Sequence, residues 1–201
     1  GKLIRSFGRF PVQKPGSYDR ETLMNPGKLA TWRDPTGKDR LLIVDRAGPN
    51  RVSEWDADDG ALIRDFMSYQ TKCNNGFAID PVDASLAYLP GHDDWLTRFK
   101  IDYTTGEWKV DAVWPDVPSE MREGLSKPTA IRANGRLYLA STKTLSVYRL
   151  SDDGARWFHS AGLVRTTDDK KKPVSFFWND ANNNGVADET ELRPVPLPGQ
   201  V

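Results

Sequence analysis

Between Phe177 and Leu192 the sequence reads FWNDANNNGVADETEL, with asparagines and a glycine set between an aromatic pair and an acidic run. Counted from Asp180, oxygen-bearing side chains fall at loop positions 1, 3, 5, 9 and 12: Asp180, Asn182, Asn184, Asp188 and Glu191. Gly185 takes position 6, where a twelve-residue calcium loop bends sharply, and Val186 takes position 7, which offers a backbone carbonyl. A type I′ hairpin turn on Asn184-Gly185 would account for the glycine. It would not account for the oxygens at 180, 182, 188 and 191 together. The expected metal ligands are therefore Asp180, Asn182, Asn184, Val186, Asp188 and Glu191, and the expected ion is Ca²⁺. Only Asp180, Asp188 and Glu191 bring charge, which implies weak binding, on the order of 10⁻⁴ to 10⁻³ M. Such an ion would staple a long turn. Pro194, Pro196 and Pro198 forbid a helix beyond Leu192, so this is no helix-loop-helix sensor.

The second group with chemical potential is His92, flanked by Asp93 and Asp94. Imidazole beside carboxylate suits metal ligation or acid–base work, and it equally suits a surface turn held by Asp side chains. With Asp45, His92 and Asp93 are the catalytic candidates. A zinc site wants three or four protein ligands, and the other histidine, His159, lies in a strand expected to be far from any central channel. No phosphate loop, nucleophile elbow or helix-borne metal motif is present in the sequence. DADDG (56–60) and SDDG (151–154) bring their glycine too early for a metal loop and read as hairpin turns. Of the tryptophans, Trp32, Trp55 and Trp178 sit at strand positions where packing is the default, whereas Trp95 and Trp114 are freer to meet a ligand.

These groups must be carried on strands. GKLIRSF (1–7) returns as GALIRDF (60–66), identical at five of seven positions. RVSEWDADDG, LTRFKIDYTTGEWKVDAVW and LSVYRLSDDGARWFHSAGL each read as strand, glycine turn, strand. Trp55, Phe99 and Tyr148 hold matching places, 44 and then 49 residues apart. The upstream halves, such as RLLIVD and RLYLAS, show the short apolar runs of half-buried strands. Each unit is a four-stranded antiparallel meander of about 45 residues, the size of one propeller blade. The one helical stretch expected is a turn or two within SEMREGLS (119–126).

The unit at 25–66, NPGKLATWRDPTGKDRLLIVDRAGPNRVSEWDADDGALIRDF, resembles the NHL-type β-propellers. It has the opening proline, the VD strand end, the NRV after a short loop and the aromatic-Asp pair before the glycine turn. The second unit departs from this pattern with LPGHDDWLTRF, and the third with ASTKTLSVY. The loop at 180–191 resembles the isolated calcium loops of dockerin-like and other extracellular bacterial repeats. The expected fold is all-β: a partial propeller over 1–201, with a part-blade at 1–8, blades at about 26–67, 75–115 and 127–164, and a following blade opening at 173–201. Three blades cannot close a ring of six or more, so further blades are expected from another segment or a partner chain. Resemblance to this family implies that the face carrying the longer loops forms the ligand rim, which here brings Asp45, Arg46, His92, Asp94 and Lys143 together.

Bulk properties narrow the function. The 201 residues carry 28 basic and 28 acidic side chains, which argues against a dedicated nucleic-acid or polybasic membrane surface. No apolar run approaches the ~18 residues of a membrane span. Cys73, the single cysteine, excludes an intrachain disulfide and reads as a small buried hydrophobe. The expected function is a calcium-stabilised, non-catalytic module that binds protein or glycan in an extracellular, cell-surface or periplasmic setting. The alternative is a propeller enzyme of lyase or hydrolase type, with a channel-facing metal or acid–base site that includes His92.

Overall fold

The structure, a computed structural model, describes residues 3, 6, 8–9, 13–46, 50–67, 76–90, 95–119, 121, 125, 127–141, 143–167, 171 and 173–195. Three antiparallel sheets follow one another along the chain. The first is β2 (Pro26–Arg33), β3 (Asp39–Asp45), β4 (Arg51–Asp56) and β5 (Leu62–Met67). The second is β6 (Ala78–Ile79), β7 (Leu86–Pro90), β8 (Leu96–Ile101) and β9 (Trp108–Trp114), with β1 (Gly16–Ser17) added at its outer edge. The third is β10 (Pro128–Ala133), β11 (Arg136–Ser141), β12 (Ser146–Leu150) and β13 (Trp157–Thr167), followed by β14 (Pro173–Asn179) and β15 (Leu192–Pro194). The fold is all-β, and in each sheet four sequential strands pair as a meander.

The repeated aromatics mark a repeated backbone feature. Between the third and fourth strands of each meander the register shifts at Glu54/Trp55, at Arg98/Phe99 and at Val147/Tyr148. A bulge of this kind adds one residue to one strand and increases the local twist. The hairpins that follow turn on Gly60, Gly106 and Gly154, with φ of 77°, 75° and 72°, a conformation that side chains with a Cβ resist. DADDG and SDDG are therefore hairpin turns.

The second and third sheets stack face to face. Tyr88, Leu96, Ala112 and Trp114 of the second pack against Leu137, Leu139, Tyr148 and Trp157 of the third. Trp157 meets Trp114 edge-on with ring centroids 5.7 Å apart. The first strands, β6 and β10, lie beside each other. Arg132 of β10 donates to Asp80, just past β6, at 2.6 Å. Neighbouring blades of a propeller stack in this way, inner strand beside inner strand. Met121 and Leu125, joined by a helical hydrogen bond of 2.9 Å, fill the same core from the connector.

The outer edges of the second and third sheets are covered by further strands. β1 pairs with β9 through Gly16↔Val113 and Ser17↔Ala112. Residues 173–195 differ from the sequence expectation: they do not open a separate sheet. β14 pairs with β13 from Ala161↔Asn179 to Thr167↔Pro173, and β15 pairs with β14. Connector length is the physical reason. In sequence, residues 68–77 separate β5 from β6 and 115–127 separate β9 from β10, whereas only 168–172 separate β13 from β14. A five-residue separation is the length of an ordinary β-hairpin loop. Residues 1–8, expected as a part-blade, lie largely outside the described residues, as does Cys73.

Candidate metal site

The loop at 180–191 joins β14 to β15, and its first residue is anchored to the sheet: the Asp180 N–H donates to the Ser160 carbonyl at 2.9 Å. Alternate side chains then bond the backbone two or more residues ahead. Asp180 Oδ2 accepts from the Gly185 N–H at 3.1 Å, Asn182 Oδ1 from Asn184 at 2.9 Å, and Asn184 Oδ1 from Val186 at 2.7 Å. Asn and Asp favour such turns because a short side chain can mimic a backbone carbonyl. Asn183 and Gly185 take φ of 62° and 76°, which coils the loop tightly.

Asp180 is 7% exposed, and its second oxygen, Oδ1, is buried without a hydrogen-bond partner. A buried carboxylate oxygen left without a donor is costly, and a cation removes that cost. Asp188 Oδ2 accepts from the side-chain amides of Asn182 at 2.7 Å and Asn184 at 2.9 Å. Glu191 sits in a 3₁₀ turn, Glu189–Glu191. Its Oε1 accepts from the N–H groups of Ala181 at 2.8 Å and Asn182 at 3.0 Å, and its Oε2 accepts from the Trp178 indole at 2.8 Å. That indole bond and the backbone donors hold the Glu191 carboxyl below the usual carboxylate range, against the opposing effect of desolvation.

Oxygen donors alone suit calcium in type. Among the described residues no set of three or more carboxylates, histidines or cysteines converges on one point. Asp180, with the side-chain oxygens of Asn182 and Asn184 and the Val186 carbonyl, would hold the ion first. Asp188 and Glu191 would complete the set, Asp188 through the oxygen that the Asn182 and Asn184 amides do not occupy.

Of the expected rim residues, Asp45, Arg46 and Lys143 lie among the described residues. Asp45 is 2% exposed, and its oxygens accept from the Met24 N–H at 2.9 Å and the Asn25 N–H at 2.7 Å. Its carboxylate clamps the incoming connector to the first sheet. Arg51, also buried, lies 3.9 Å away, pairs with Asp65 at 2.9 Å and donates to the Thr22 carbonyl at 2.6 Å. Arg46 is exposed and lies over Gly27, where a Cβ would come within 2.8 Å of its Nε. Lys143 is exposed in the turn before β12. His92, Asp93 and Asp94 lie outside the described residues. His159 of β13 stacks on Tyr148 and meets Trp178 edge-on, with centroids 5.1 Å and 4.7 Å apart.

Trp95 and Trp114, read from sequence as freer, are buried: Trp114 between the second and third sheets, and Trp95 in a cluster of its own sheet that Tyr18, Met24 and Met67 cover. The Trp114 indole donates to the Gly154 carbonyl of the third sheet at 2.8 Å. The sequence reading missed Trp178 as the partner of Glu191, and it missed Trp108 as an exposed ring. No local signal marked the latter: Trp108 pairs with Ile101 as the buried Trp157 pairs with Leu150.

No known protein family matches the sequence. No curated protein matches it either. Solved structures similar to it include a protein from Lactobacillus plantarum, 16% identical over 92% of this chain and 58% of that one, with a TM-score of 0.29. Another is the PQQ-bound aldose sugar dehydrogenase of Streptomyces coelicolor, 18% identical over 84% of this chain and 62% of that one, with a TM-score of 0.27. A third, a protein of unknown function from Bacteroides thetaiotaomicron, is 12% identical over 74% and 41% of the two chains, with a TM-score of 0.24. The chain spans less than two thirds of the length of each. Scores of this size transfer no activity, and the fold rests on the strand pairing described above.

Proposed function

We propose that this chain is a calcium-stapled module of propeller type that works by binding. Its blades are of NHL-type form, and further blades from another segment or a partner chain complete the ring. It presents its loops to a protein or carbohydrate ligand in an extracellular, cell-surface or periplasmic setting, where calcium is abundant enough for a weak loop. The buried, partnerless Asp180 Oδ1 carries this reading. It needs a positive partner, and the loop around it offers further oxygens at calcium-loop spacing.

Melting the protein in calcium and in chelator tests this. A loop with a dissociation constant on the order of 10⁻⁴ to 10⁻³ M, in about 10 mM calcium, gains ~1.4–2.7 kcal/mol. For a chain of this size that raises the melting temperature by about 3–10 °C. Asp180→Ala with Glu191→Ala removes the gain. Identical melting of the unmodified protein with calcium and with chelator refutes the staple.

A further inference from the structure

Trp108 is 56% exposed and Tyr103 68% exposed, and both line a pocket of about 390 Å³ at the β8–β9 hairpin, with Lys100, Asp102, Glu107 and Lys109. The pocket has a structural origin in the repeat. Trp157, at the matching register of the third sheet, is 4% exposed because the second sheet covers it. Trp108 likewise lies on the face toward the preceding sheet, where Met67 of the first sheet packs near Phe99. No residue of the first sheet lines the pocket.

The exposed rings are held in place. Trp108 packs on Phe99 with centroids 4.6 Å apart. The Tyr103 hydroxyl donates to the Ala84 carbonyl at 2.7 Å, which fixes its ring against the neighbouring turn. The Asp102 carboxylate accepts from the Thr104 N–H at 2.8 Å and so stiffens the hairpin. A flat aromatic face carries partial negative charge that attracts the slightly positive C–H face of a pyranose. Lysine and carboxylate groups beside it supply donors and acceptors for hydroxyls. The volume falls within the range of small-ligand sites, about 300–1,000 Å³.

We propose that this pocket is a carbohydrate-binding subsite in which Trp108 stacks on a sugar ring and Tyr103, Glu107 and Lys109 border it. It shares no residue with the calcium loop, so either site can fail alone. Cellotetraose, chitotriose and digalacturonate, titrated into the protein and followed by saturation-transfer difference NMR and tryptophan fluorescence, test the idea. At least one of these sugars binds saturably, Trp108→Ala weakens it by about tenfold, and Trp108→Phe, which keeps a flat ring, retains most of it. Trp108→Ala melts like the parent because the side chain is exposed, which separates lost binding from lost folding. Absence of saturable binding by all three sugars overturns the proposal, as does binding that Trp108→Ala leaves unchanged. Self-association that disappears in Trp108→Ala, without sugar binding, reassigns the pocket to protein contact and overturns it equally.

Discussion

The Trp178 indole donates to Glu191 Oε2 at 2.8 Å, so the last residue of the candidate calcium loop is tied to a ring buried in the third sheet. The same ring meets His159 edge-on, and His159 stacks on Tyr148. An ion on the Glu191 carboxylate would compete with this indole bond and with the bonds from Ala181 and Asn182. Loop occupancy is therefore wired to the electronic environment of one tryptophan.

Calcium should accordingly change the emission of Trp178. Titration is expected to shift or quench fluorescence saturably, and Trp178→Phe removes that response while calcium stabilisation persists. A response of unchanged size in Trp178→Phe would show that Glu191 keeps its present partners.

The Asp80–Arg132 pair should make the contact between the second and third sheets sensitive to acid. Burial alone would raise the Asp80 pKa, but bonds from Arg132 and from the Val82 and Asp83 N–H groups outweigh it and lower the value. A lowered folded value means that the pair's stabilisation is fully present above the unfolded value of about 3.9 and is lost as pH falls through the folded one. Arg132→Leu should cost about 1–3 kcal/mol near neutrality, measured by urea unfolding. It should also flatten the stability profile below pH 4, and a parallel acid limb in both proteins would contradict this.

Trp157 should be among the most sensitive core positions. It is 4% exposed and packs against Tyr88 and Trp114 across the sheet interface. Trp157→Ala is expected to cost about 3–5 kcal/mol, lowering the melting temperature by roughly 6–20 °C. Calorimetry that finds less than about 1 kcal/mol would mean that the two sheets do not depend on this contact.

Asp45 should behave as a structural residue. Asp45→Ala strands the Met24 and Asn25 N–H groups and deprives buried Arg51 of a neighbouring charge, a loss of about 1–3 kcal/mol. Limited proteolysis is expected to cut the connector before β2 faster in this variant. Unchanged stability and cleavage would return Asp45 to the list of groups free to meet a ligand.

Local features were the legible ones. The spacing of Trp55, Phe99 and Tyr148 marks the bulges because the repeat is written in adjacent residues. The turn at 180–186 follows from Asn and Asp bonding their own backbone. Features that depend on distant chain were not legible. Trp114 is buried by sheet stacking and Trp95 in a cluster that Tyr18, Met24 and Met67 cover, neither of which a single unit encodes. Pairing of β14 with β13 depends on the reach of a short connector rather than on any motif within 173–179. Asp45 is claimed by backbone N–H groups 20 and 21 residues earlier, a partner type that leaves no side-chain signature.

Isothermal calorimetry of calcium into the whole chain, with magnesium as the competitor, tests the central claim most directly. One saturable calcium site with a dissociation constant on the order of 10⁻⁴ to 10⁻³ M, abolished by Asp180→Ala, is the predicted result. A titration with no binding heat and no change in stability up to 10-fold above that range, on the order of 10⁻² M, would contradict it.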